Sequence, residues 1–165
     1  MPPSRLAPIQ LPDFGVSDVR PELPASLYPE RIDRLRERMA ARAYDRLVVY
    51  ADREHSANLA WMSGFDPRFE EAILVLGGED DPAILVGNEC YGMAGVAPLP
   101  MRRHRFQDLS LPGQPRDRSR PLEEILADEG VRPGTRVGTV GWKTYASRSA
   151  RRPSINPKAA SAGRG

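Results

Sequence analysis

Imidazole and carboxylate side chains that could ligate Zn²⁺ or Mn²⁺ occur around His55, Asp66, Glu70 and Glu71. The chain has only two histidines, His55 and His104, and no His-Glu-x-x-His spacing to set two imidazoles on one helical face. His55, beside Glu54, therefore reads as a helix-borne, hydrogen-bonding residue near the surface, and no metal site is expected. Val140-Gly141-Trp142-Lys143-Thr144 ends like a phosphate-binding loop, in which backbone N–H groups cradle the anion. Trp142 stands between the glycine and the lysine and displaces the ammonium, and no glycine-rich turn leads into a helix, so the segment reads as a strand end. For nucleophilic catalysis there is no Gly-x-Ser-x-Gly elbow. Cys90 has no recognisable His or Asn arrangement around it and reads as a small buried apolar group.

The bulk properties narrow the classes further. A length of 165 residues fits one domain with one core. Hydrophobic residues at 40% and charged residues at 28% are globular, while 17 prolines and 14 glycines imply long connections. One cysteine cannot form an internal disulfide, which fits a reducing cytoplasm. Met1 to Gln10 has no apolar h-region, and no segment reaches the roughly 18 apolar residues of a membrane span, so a soluble protein is expected. Net charge is only +2, but from Met101 onward there are 14 Arg or Lys against 6 Asp or Glu. Arg148, Arg151, Arg152, Lys158 and Arg164 could neutralise phosphates. No aromatic residue after Tyr145 offers a stacking platform, so a solvated tail is expected and nucleic acid is not the expected partner.

The elements that would position these residues follow from periodicity. Residues 1–26 carry Pro2, Pro3, Pro8, Pro12, Pro21 and Pro24 and read as an extended arm. From Tyr28 the pattern turns helical, with Pro29 and Glu30 early and Ile32, Leu35 and Met39 on one face up to about Arg42. Leu47–Tyr50 predicts a strand, and after Asp52 a helix runs through Asn58, Leu59 and Met62 to Gly64. Ala72–Leu76 and Ala83–Val86, separated by Gly77-Gly-Glu-Asp-Asp81, predict a close pair of strands in a mixed sheet. Tyr91–Ala97 predicts a helical stretch, Met101–Phe106 an edge strand with outward arginines, and Pro112–Pro115 a loop. Pro121–Gly130 predicts a helix presenting Leu122, Ile125 and Leu126, and Arg136–Trp142 a last strand. The fold class expected is α/β, a mixed β-sheet flanked by helices over residues 27–146. The acid-free stretch 147–165, rich in Arg, Ala, Ser, Pro and Gly, is expected to be disordered.

Asn58, Leu59, Trp61, Met62, Ser63, Gly64 and Phe65 resemble the Asn-hydrophobic-x-aromatic-hydrophobic-Thr/Ser-Gly-Phe signature of the N-terminal domain of creatinases, prolidases and Xaa-Pro aminopeptidases. Asp66-Pro-Arg-Phe-Glu-Glu-Ala72, Ser110-Leu-Pro-Gly-Gln-Pro-Arg116 and Val137-Gly-Thr-Val-Gly-Trp-Lys143 look like a peptidase-like branch of that family, so the resemblance spans about Tyr28 to Tyr145. It implies a ribonuclease-H-like domain, normally followed by a pita-bread catalytic domain that binds two divalent metal ions. No catalytic residue and no metal or other cofactor is therefore expected in this chain itself. Asp66, Arg68 and Glu70 are the candidates for a substrate-facing or interface surface, because charges beside a Gly-Phe turn suit a peptide terminus. The reading is a non-catalytic association or substrate-gating domain, with a second copy or a full-length relative as partner. The alternatives are an Xaa-Pro metallopeptidase completed by a separate catalytic subunit, and nucleic-acid binding through the Arg-rich tail. The change of composition after Tyr145 suggests a frameshifted or prematurely ended reading frame in a GC-rich genome.

Overall fold

The computed structural model describes residues 6–16, 18, 19 and 22–141. The arm up to Pro24 forms neither helix nor strand where described, and the first helix, α1, spans Leu27–Ala41. Pro29 falls within its first turn, where a missing N–H leaves no gap in the hydrogen-bond ladder. Tyr28, Ile32 and Met39 are buried along one face. Strand β1 follows at Arg46–Ala51, then helix α2 at Ala57–Ser63. Gly64 ends α2 in the left-handed region at φ 71°, and a Cβ there would lie 2.7 Å from Pro98 and 2.8 Å from Tyr28. Only glycine fits that stop.

Strands β2 (Ala72–Leu76) and β3 (Ala83–Val86) form the expected antiparallel pair, with Ile73 opposite Leu85 and Val75 opposite Ala83. Every residue of both is buried, as befits strands covered on two faces. The helical stretch predicted over 91–97 is a short helix α3 (Cys90–Met93) running into a 3-10 turn, Ala94–Val96. Strand β4 (Arg102–Arg105), helix α4 (Leu122–Asp128) and strand β5 (Val137–Val140) complete the described order. Trp142–Thr144 and the tail 147–165 lie outside the described residues.

The sheet runs β4-β3-β2-β1-β5, with β3/β4 and β1/β5 parallel and the inner pairs antiparallel. It is the mixed α/β sheet that the sequence predicts. Alternation along the strands divides the core between its faces. Ala72, Leu74, Leu76, Ile84 and Val86 pack with α1, α2 and Cys90, while Ile73, Val75, Ala83 and Leu85 pack with Phe106, Leu109 and Ile125 of α4. The arginines of edge strand β4 are exposed, as predicted, and each is also engaged. Arg103 and Arg105 lie over the Tyr91 ring at 5.1 and 4.6 Å, while Arg102 and His104 reach Glu129 on the opposite side. Among the described residues no helix is long and apolar enough to cross a membrane.

Candidate functional site

Strand directions decide which loops meet. Since β1, β3, β4 and β5 run one way and β2 the other, the carboxyl ends of the four and the start of β2 share one end of the sheet. That end therefore gathers the turn after Asp52, the segment Gly64–Glu71, the residues after Val86 and Arg105, and Gly141. Crevices at the carboxyl ends of strands are where open α/β sheets take ligands.

The three predicted site residues separate into two groups. The Asp66 carboxylate accepts the Arg68 N–H at 2.9 Å, a tight turn that holds Arg68 at φ 60° and leaves both side chains exposed. Glu70 instead points inward and is 1% exposed. Its carboxylate accepts the N–H groups of Glu89 at 3.2 Å and Cys90 at 2.9 Å, which caps the first turn of α3. A Cβ at Gly87 would lie 2.8 Å from that carboxylate, so glycine is what lets Glu70 approach. The structure thus presents Asp66 and Arg68 together at an exposed tip and uses Glu70 as the anchor beneath them. Cys90 is fully buried and donates to the Pro67 carbonyl at 3.2 Å. Burial first, and then the Glu70 carboxylate, push its thiol up to about 12, which disfavours the thiolate at neutral pH.

His55 departs from its predicted setting: it sits in the turn before α2 rather than on the helix. The Asp52 carboxylate organises that turn, accepting the N–H groups of Glu54 at 2.9 Å and His55 at 2.7 Å, with the His55 Nδ1 at 3.0 Å. Burial opposes ionisation of Asp52, but those hydrogen bonds outweigh it and hold the carboxyl below its ordinary range. Tyr50, Asp52, His55, Asn58 and Gly141 line a cleft of about 350 Å³ at the mouth of the parallel β1/β5 pair. The Tyr50 phenol is pushed well above its usual value, by burial first and then by Glu71 and Asp52.

A second cleft, of about 470 Å³, opens over β3 and β4 between Asn88, Glu89, Arg105, Gln107, Gln114 and Arg118. Its wall is a head-to-tail chain of amides. The Arg118 N–H donates to Gln107 Oε1 at 2.6 Å, Gln107 Nε2 to Asn88 Oδ1 at 2.9 Å, Asn88 Nδ2 to Gln114 Oε1 at 3.2 Å, and Gln114 Nε2 to Glu89 Oε1 at 2.7 Å. This chain fastens the loop 110–118 to the strand ends. Sequence reasoning missed Asn88, Gln107 and Gln114, because amides scattered over loops have no period to reveal them; only the Ser110–Arg116 resemblance pointed to the segment. Among the described residues no three His, Cys, Asp or Glu side chains gather to hold a metal ion.

The chain is similar to several solved structures. A proline dipeptidase from Streptococcus agalactiae is 15% identical, with 68% of this chain and 94% of that chain covered at a TM-score of 0.41. A Creatine_N superfamily domain of a dipeptidase from Streptococcus thermophilus is 14% identical, covering 66% and 89% at 0.41. The creatinase/prolidase-like N-terminal domain of a protein described as a metallopeptidase, from Corynebacterium diphtheriae, is 16% identical, covering 72% and 98% at 0.42. Among curated proteins the chain has no match. The family profile that matches does so over residues 31–156, well over half of the chain, and extends past Tyr145 into the basic tail. By that match the chain belongs to the Creatinase/Prolidase N-terminal domain family.

Proposed function

We propose that this domain is the non-catalytic part of an Xaa-Pro peptidase-like protein, serving association and substrate gating through the tip formed by Gly64–Glu71. The observation that carries the reading is the pairing of Asp66 and Arg68 at that tip, exposed and opposite in charge, over the buried Glu70 anchor. A turn bearing one carboxylate and one guanidinium can meet both termini of a short peptide, and the guanidinium can hold the carboxyl end with two hydrogen bonds. Support also comes from the loop's place at the end of the sheet where five segments converge. The partner is a second copy of the chain or a full-length relative.

The test uses the purified chain with Xaa-Pro dipeptides and tripeptides and Mn²⁺. The expected result is no turnover by the chain alone, together with dipeptide-dependent shifts of the Asp66 and Arg68 amide resonances that Arg68→Ala abolishes. Hydrolysis that rises with protein concentration would remove the non-catalytic reading. Amide signals that stay still at saturating dipeptide would remove the gating role. Recovery of a separately encoded catalytic subunit that confers hydrolysis would make the chain one part of an active Xaa-Pro peptidase.

A further inference from the structure

The arm ahead of α1 is unlike a solvated linker. Solvated linkers are poor in large apolar residues, whereas this one carries Leu6, Ile9, Leu11, Phe14, Val16 and Leu23, all exposed and none in either core cluster. We propose that the arm is a docking segment whose occupant site lies on a second copy of this chain, so that two copies exchange arms.

Three observations support a second copy. The first is area: at about 100 Å² a side chain, six apolar groups expose about 600 Å² per arm, and two arms clear the roughly 1,000 Å² that a stable association requires. The second is a receptor of matching chemistry. Trp61, Phe69, Met93 and Val96 are exposed large apolar residues on segments that adjoin: the Leu99 N–H donates to the Ser63 carbonyl at 3.3 Å, and Cys90 reaches Pro67. Arginines stand among them, Arg31 over the Trp61 ring at 4.8 Å, Arg68 one residue from Phe69, and Arg103 and Arg105 over Tyr91. Between Leu6 and Val19 the only charged residues are Asp13 and Asp18, which can pair with these arginines. The third is placement. Tyr28, at the root of the arm, abuts Gly64 and hence the receptor region. A two-fold axis passing near that root sets each arm against the other copy's receptor, an isologous arrangement in which both arms are used.

The proposal names the partner within the association role proposed above and rests on that reading. Sedimentation of the full chain, an arm-deleted chain starting at Pro24, Phe14→Asp and Phe69→Asp, each across the micromolar range, tests it. The deleted chain keeps both core clusters, which begin at Tyr28, and circular dichroism and urea midpoints check that each variant is folded. The full chain is expected to approach twice the single-chain mass, and the deletion and both substitutions to remain at single-chain mass. Should Phe69→Asp unfold, Arg68→Glu reads the same surface, weakening association at least tenfold, and Asp13→Arg with Asp18→Arg restores it. A full chain that stays single, an association indifferent to arm deletion, or an arm protected from proteolysis within a single copy would each overturn the exchange. Peptide hydrolysis by the chain alone would overturn the non-catalytic reading and leave arm exchange standing; a single-copy chain without turnover would do the reverse.

Discussion

A buried carboxylate is expensive unless its oxygens are met, and Glu70 shows how the domain meets that cost. Its partners are the backbone N–H groups of Glu89 and Cys90. Glu70→Ala removes the acceptor and strands both donors in the interior, which should cost about 3 kcal/mol of stability in urea unfolding. Glu70→Gln keeps one acceptor but turns an NH₂ toward a donor, and it should lose about half as much. A substitution with no effect would show that the N–H groups find other partners. Sequence alone pointed to the neighbourhood of Glu70 but gave it the wrong sense. Three charges in five residues read as one exposed cluster, and nothing in the local sequence separates the inward carboxylate from the outward pair. The signal that could have separated them is Gly87, but it acts across the chain and has no spacing relation to Glu70.

Elements whose identity depends on local pattern were legible. The two apolar runs of β2 and β3 and their Gly-Gly-Glu-Asp-Asp connector are copied almost residue for residue into the sheet. Helix α1 is set by its period and α2 by the glycine that stops it, whereas the start of α2 was misread because the Asp52 side chain substitutes for a first helical turn. What a local pattern cannot carry is which distant element holds an edge strand in place. The Glu129 carboxylate, 3% exposed, accepts from Arg102 at 2.6 and 3.2 Å and meets His104 Nε2 at 2.6 Å, joining β4 to the end of α4. Glu129→Gln leaves Arg102 without its counter-charge, but the guanidinium is half exposed and reaches water, so the loss should be about 1 kcal/mol rather than that of a fully buried pair. The loss should appear first as faster amide exchange in β4, because β2 and β3 keep their own contacts. Equal acceleration in β2 would mean that the sheet opens as one unit.

For the molecule as a whole, the consequence of these placements is sensitivity to alkali. Cys90 and Tyr50 both hold their protons more tightly in the folded chain than an exposed thiol or phenol does, since burial penalises the charged form and carboxylates stand nearby. A raised folded value means that the unfolded chain loses its proton first. The stability contributed by Cys90 is therefore complete below its ordinary value near 9 and drains away as the pH climbs toward about 12. Tyr50 adds a loss of the same sign that begins above its ordinary value of 10. Asp52 works in the opposite direction: its lowered value stabilises the fold above its ordinary 3.8 and is lost as the pH falls below it. Urea midpoints should accordingly be flat from neutrality to about pH 8.5 and fall beyond it. The fall should be shallower in Cys90→Ala, whatever that variant's midpoint at neutral pH. Parallel pH profiles in the two proteins would show that the buried thiol does not carry the effect.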